Sequence, residues 1–423
     1  MENKIKPIKV YRLRYVFELR NGYTPSKKDL SYWSGGTIPW FRMEDIRKNG
    51  RILSDSIQHI TSKAVKGGGL FSANSFILAT TATIGEHALL IADSLANQQF
   101  TNLKVRKSLM DKFDMKFLFY YMYKIGEWCK NSVNTTCFSS VNIDELKSQM
   151  IPLFTLSDQK AIAEYLDKAT AEIDKAIAQQ QHMIDLLNER KQIIIQRAVT
   201  KGMDENVEMK DSGVEWIGDI PAHWQVKKLK YIANTNSGST PRNISGKGSP
   251  SSNIKWVRTT DLNNDIVTDT SEYLSKQEMA SASCPLLEPN TVLISMYGGS
   301  RSFGKIGILG IEATINQALC SISANDDILP KYLFYYLQSV NKIWMKFAAS
   351  SRKDPNLNQE IIRNIHIAYP QSKDEQDMVV GMLEKSIREV NNGISQYESL
   401  ISTLQERKQI IISEVVTGKI KVS

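Results

Sequence analysis

The sequence predicts two similar globular domains of mixed α/β class, separated by two long helices that pair as an antiparallel coiled coil. Three observations predict it. The heptapeptide ERKQIII stands at 189–195 and again at 406–412, so the chain repeats itself at an interval of 217 residues. Apolar residues before each copy recur at spacings of four and three. Basic residues concentrate outside these helical stretches.

The repeat extends well beyond the heptapeptide. Gly22-Tyr23-Thr24-Pro25 answers Gly238-Ser239-Thr240-Pro241, and Ile38-Pro39-Trp40 answers Ile254-Lys255-Trp256. Asn97-Gln98 answers Asn316-Gln317, and the run Leu118–Tyr121 answers Leu333–Tyr336. Small drifts in offset are what loop insertions leave behind, so the chain is two copies of one unit. The expected boundaries are a first domain at 1–156, a helix at 157–200, a linker at 201–222, a second domain at 223–372 and a second helix at 373–423.

Each domain opens with short β-prone runs, such as SFILAT at 75–80 and TVLISM at 291–296, punctuated by Gly, Ser, Thr and Asn. Helices are expected at 114–130 and 330–347. The long helices follow. In the second copy Leu383, Ile387, Val390, Ile394, Tyr397, Ile401, Leu404, Lys408, Ile411 and Val415 form an unbroken heptad seam. Subtracting 217 gives the first-copy seam, from Leu166 and Thr170 through Ile184 and Lys191 to Ala198. No proline falls within 157–200 or 373–423, so nothing forces a kink. Forty residues at 1.5 Å each make a rod of roughly 60 Å.

Charge divides the chain in the same way. Residues 1–156 carry net +9 and 223–372 net +5, whereas 157–222 carry −5 and 373–423 carry −1. The whole-chain +8 hides this division. Cationic domains are the footprint of phosphate-backbone binding. An antiparallel rod would present two dissimilar heads to two half-sites on opposite strands, spaced by at most about 18 base pairs. Hydrophobic residues at 42% and charged residues at 23% exclude wholesale disorder. No apolar run reaches the ~20 residues of a spanning helix, and the start MENKIKPIKV has no signal-peptide core. Four cysteines without a CxxC pair suit neither a disulfide scaffold nor a structural zinc site, and the expected compartment is the cytoplasm.

The chain resembles the specificity (S) subunits of type I restriction–modification systems over nearly its whole length. The most specific carrier is the stretch Asp211-Ser212-Gly213-Val214-Glu215-Trp216-Ile217-Gly218-Asp219-Ile220-Pro221-Ala222-His223-Trp224. The others are the G-x-T-P and I-x-W elements, the Asn-Gln pairs, and Asp158-Gln159 and Glu375-Gln376 ahead of each helix. The first copy lacks the DSGVEWIG opening, and Asp158 stands where the pattern has Glu. The resemblance implies two target-recognition domains reading a gapped duplex DNA target. It also implies helices that dock two methyltransferase (modification) subunits, with restriction/translocase subunits added. It implies no catalysis and no cofactor here, since S-adenosylmethionine and ATP with Mg belong to the partner subunits.

The residues agree with that silence. There is no phosphate loop (Ser245-Gly246-Lys247-Gly248 lacks the spacing), no Asn/Asp-Pro-Pro-Tyr/Phe element and no HExxH. The rival readings are a coiled-coil scaffold that binds no nucleic acid and a self-sufficient nuclease. For DNA contact the expected residues are cations and small polar groups on exposed loops. In the first domain these are Lys27, Lys28, Arg42, Lys66, Thr80, Thr81, Asn134, Thr135 and Thr136. In the second they are Arg242, Lys247, Arg258, Tyr297, Arg301, Ser302, Ser350, Arg352 and Lys353. Arg42 and Arg258 recur beside Trp40 and Trp256, which suits backbone contact better than base readout.

Overall fold

The structure is a computed structural model that describes residues 4–132, 140–204, 206–241, 254–298, 302–348 and 356–422. The chain divides into two compact units, Met1–Gln181 with Glu398–Ser423, and His182–Tyr397. Each long helix, Leu156–Lys201 and Lys373–Val416, gives its first half to one unit and its second half to the other.

In the first unit a five-stranded sheet has the order Phe17–Asn21, Phe100–Val105, Ser75–Ala79, His87–Leu90, Ile52–Leu53. All its pairings are antiparallel except the last. A three-stranded sheet sets Ile38–Phe41 between His59–Ile60 and Leu95–Ala96, and Lys9–Arg12 pairs with Met150–Leu153. The second unit repeats this strand for strand. Its five-stranded sheet runs Ala233–Ser237, Leu319–Ala324, Val292–Ser295, Ile306–Leu309, Asp265–Val267. Its three-stranded sheet centres on Ile254–Val257, and Gln225–Lys228 pairs with His366–Tyr369. The central strands Ser75–Ala79 and Val292–Ser295 are buried at every position, as continuous apolar runs demand.

The FLFYYM run lies on one helix, Met115–Asn131, started by the Asp114 carboxylate accepting from the Phe117 N–H at 2.9 Å. Its counterpart is broken into Pro330–Ser339 and Asn341–Ala348, where a single helix over 330–347 is expected. Ser339 and Asn341 flank the break, and the Ser339 hydroxyl bonds back to the Tyr336 carbonyl at 2.6 Å. Short polar side chains of this kind compete with the helix for backbone groups.

The heptad seam is the packed face of both long helices. Every seam position from Leu166 to Ala198 and from Leu383 to Val415 is buried or half-buried. In the first unit Ile162 and Leu166 share a core with Ile412, Val415 and Val416, and farther along Asp174 holds the Lys408 ammonium at 2.7 Å. As one helix advances the other recedes, so the pair is antiparallel. In the second unit Leu187 lies beside Gly393 and Lys191 donates to the Asn391 side chain at 3.1 Å. The two seam lysines occupy equivalent heptad positions, and each has a polar acceptor facing it. Among the described residues no helix is long and apolar enough to cross a membrane.

Candidate nucleic-acid interface

The recurring motifs tie distant segments of each domain together. The Gly22 N–H bonds to Phe100 and the Tyr23 N–H to Ala96, which brings Gly22 against the strand end at Ala96 and Asn97. A Cβ on Gly22 would overlap the carbonyl oxygens of Ala96 and Asn97, and one on Gly238 those of Ile315 and Asn316. The Thr24 hydroxyl donates to the Gln98 side chain, and Thr240 does the same to Gln317. Asn97 and Asn316 turn their own loops by accepting the N–H two residues on, at 3.1 and 3.2 Å. G-x-T-P and Asn-Gln are therefore one clasp, written twice.

The glutamine ahead of each long helix is a second fixture. Gln159 is fully buried; it accepts from the Asp114 N–H at 2.8 Å and donates to the Lys112 and Phe154 carbonyls at 2.9 Å. Gln376 repeats this with Leu329, Asp327 and Pro370. The neighbouring acids differ. Glu375 reaches the Trp224 indole N–H at 2.8 Å and His223 at 2.9 Å, whereas Asp158 accepts from the local Thr155 hydroxyl at 2.6 Å. The first copy has no counterpart of that tryptophan stretch, so the shorter acid suffices there.

In each unit residues that border the candidate loops meet. In the first unit the Val141 N–H bonds to the Thr80 carbonyl at 2.9 Å, and Thr81 bridges to Ser140. In the second the Leu357 N–H bonds to the Met296 carbonyl at 2.8 Å. The residue just after the central strand and the residue that resumes the chain beyond the helix therefore lie side by side in both units.

The expected contact residues divide. Lys27 and Lys28 are exposed on the loop after Pro25, and exposed Lys66 lies with its ammonium 4.6 Å from the Tyr23 ring. Thr81 is half-buried at the loop junction. Thr80 is 7% exposed and its hydroxyl meets that of Thr101 at 3.0 Å, so it closes the buried strand next to the loop. Arg42 and Arg258 each begin a short helix, their N–H groups donating to Asp45 at 2.7 Å and Asp261 at 2.8 Å. Their guanidinium groups are paired with Glu44 at 3.0 Å and Glu272 at 2.8 Å. Tyr297 is half-buried, and burial pushes its phenol pKa up; Ser302 lies beside Gly298. Asn134, Thr135, Thr136, Arg242, Lys247, Arg301, Ser350, Arg352 and Lys353 lie outside the described residues.

Sequence reasoning missed a charged group beside the first loop pair. Glu86 takes Arg51 at 2.5 Å and Lys130 at 2.9 Å, and Arg51 also donates to the His87 carbonyl at 3.0 Å. Burial alone would raise the Glu86 pKa, but the bonds and charges of Lys130 and Arg51 outweigh it and hold the carboxyl below its ordinary value. Lys130 and Glu86 border the loops singled out in the sequence, so adjacency was the available signal. Arg51 arrives through strand pairing and had none.

Beneath this group His87 is 2% exposed, its ring edge-on to Tyr123 at 4.5 Å. Burial, then the positive charge of Arg51, lower its pKa to about 3, so the ring is neutral. The unfolded chain therefore binds a proton near pH 6.5 that the folded chain refuses, and stability falls as the pH drops through the window from about 6.5 to 3. At pH 5 this one group is expected to cost about 2 kcal/mol. Denaturant midpoints at pH 7 and pH 5 should converge more in His87→Phe than in the parent; equal gaps would contradict the buried neutral ring.

The comparisons decide the family. The family described as the type I restriction modification DNA specificity domain matches residues 5–181 and again 221–397. The chain belongs to this specificity family. The two matches are offset by 216 residues and end where the two compact units meet along the chain. Among its relatives is the type I restriction enzyme EcoprrI specificity subunit of Escherichia coli, 51% identical over 166 residues. That stretch is 38% of this chain and 41% of the relative. The MjaIX specificity subunit of Methanocaldococcus jannaschii is 24% identical over 427 residues, covering 98% of this chain and 93% of that one. A chain solved in a study of complex assembly and conformational transition of the type I restriction–modification system superposes with a TM-score of 0.65. It covers 99% of both chains at 14% identity, so it shares the fold of this specificity family member. Among the described residues no group of three or more His, Cys, Asp or Glu could hold a metal ion.

Proposed function

We propose that this chain is the sequence-specific DNA-recognition subunit of a type I restriction–modification complex. Each globular domain reads one half of a gapped duplex target. The observation that carries this is a duplicated scaffold with unlike loops. The clasps and glutamine fixtures are the same in both units, while the candidate loops differ. Glu86 in the first turn has Lys305 at its register position in the second, since Ala79 and Ser295 donate to their respective carbonyls at 2.7 and 2.8 Å. Equal supports with unequal charges suit half-sites of different sequence.

The domains correspond to 1–156 and 223–372, with the segment 201–222 as the link between repeats. Lys27, Lys28, Lys66 and Thr81 are proposed contacts in the first domain, and Tyr297, Ser302 and the basic residues of the neighbouring loops in the second. Arg42 and Arg258, already charge-paired, serve the backbone rather than the bases. The long helices dock the modification subunits, supported by large apolar side chains left exposed at the same register of both: Tyr165 and Met382, Met183 and Leu400, Ile193 and Ile410. The chain itself catalyses nothing; methyl transfer, translocation and cleavage belong to partners in the cytoplasm.

Exchanging residues 1–150 for the corresponding domain of a relative tests the reading. Methylation mapping of host DNA should show one half-site replaced and the other kept. A change in both halves, or in neither, would sink the two-head scheme.

A further inference from the structure

We propose that a cleft in the first domain, bounded by Arg47, Arg51 and Lys130, seats a phosphodiester of the DNA backbone. The proposal rests on the DNA-reading function above and names a contact within it. The cleft has a volume of about 770 Å³ and lies between the helix Met43–Asn49 and the turn Ala82–Glu86. Its wall carries three cations against one carboxylate, a net charge of +2. Arg47 is exposed at the mouth, and the Lys130 side chain is 54% exposed.

Three features favour a phosphate over a base edge. Arg51 spends one terminal nitrogen on Glu86 and the other on the His87 carbonyl, so its fork is not free for bidentate readout of guanine. Lys130 offers a point charge rather than a planar fork. Glu86 holds these two cations side by side against their mutual repulsion and leaves the positive excess facing the cleft. Thr83 lines the same wall, its hydroxyl buried and without a partner among the described residues. The turn is held in an uncommon conformation at this lip: Ala82 has φ +59°, in the left-handed region that favours glycine.

The test uses the full chain assembled with its modification subunits. DNA affinity is measured between about 50 and 200 mM salt on a target duplex and on a scrambled one. The double variant Arg47→Gln, Lys130→Gln should weaken both duplexes by about tenfold at about 0.1 M salt. It should lower the slope of log affinity against log salt by about one, since each phosphate contact contributes about 0.9. Preference for the target should persist. The charge-retaining pair Arg47→Lys, Lys130→Arg should keep the parental slope.

An unchanged slope in the glutamine variant overturns the proposal, as does an equal loss in the charge-retaining variant, which would make the role structural. Parental complex that binds no DNA would instead sink the reading beneath it. Titration calorimetry with inorganic phosphate at constant ionic strength should give no saturable heat. Saturable binding would reassign the cleft to a free anion.

Discussion

Gly22→Ala should lower the stability of the first unit by about 3 kcal/mol, the upper end of what one overpacked position costs. The new methyl would meet two backbone carbonyl oxygens, of Ala96 and Asn97, rather than the tip of a flexible side chain. Backbone at a strand end cannot rotate away, so the strand Leu95–Ala96 must separate from Gly22 and the Tyr23 N–H to Ala96 bond must stretch. The Thr24 to Gln98 bond goes with it, because both belong to the same clasp. Gly67→Ala is the control. Nothing lies within 4 Å of its added Cβ, so a change within about 0.5 kcal/mol is expected. Urea unfolding of both variants decides the matter, and equal midpoints would show that the clasp yields. The same substitution at Gly238 should strike the second unit alike, against the oxygens of Ile315 and Asn316.

Gln159 supports a comparable effect by different physics. Truncation to alanine leaves the Asp114 N–H and the carbonyls of Lys112 and Phe154 without their side-chain partner; the Phe154 carbonyl is buried and the other two are part-buried, and a group that water cannot reach costs about 1–3 kcal/mol. A total of about 3 kcal/mol is expected. Gln159→Glu, of nearly equal shape, should be worse at neutral pH. It replaces an NH₂ that feeds two carbonyls with a carboxylate oxygen that repels both, inside a site with no exposure. Thermal midpoints should therefore rank parent above alanine above glutamate. Glutamate tolerated as well as glutamine would mean that the fixture is not the hydrogen-bond set described. Gln376 should behave in the same way, through Leu329, Asp327 and Pro370.

Both predictions concern motifs that stand out in the sequence because they occur twice, and both turn out to be supports. Residues written the same way in both domains serve what the domains share: strand ends, helix starts and the anchorage of the long helices. On the proposed function reading DNA falls to what the copies do not share, and dissimilarity between two copies marks a region without ranking the residues in it. This is why Thr80 stands among the expected contacts although it closes a buried strand. Arg47 and Arg51 do not, because they lie in no repeated motif and beside none of the diverging loops in sequence.

By itself the sequence determined the duplication, the mixed class of each domain, and the two long helices with their packed face. Those follow from short-range rules: a heptad spacing selects one side of a helix, and a buried apolar run makes a central strand. The seam from Leu383 to Val415 could be written down in full because each of its members is set by its neighbours three and four positions away. The tertiary structure decided the rest. It brought Thr24 to Gln98, 74 residues away, and Arg51 to Glu86 and Lys130. It also gave Glu375 to Trp224 and His223, while Asp158 accepted from Thr155, the residue that caps its own helix. Pairings of this kind depend on strand order and on which carbonyls are left without partners once the sheets have formed, and no local pattern encodes either.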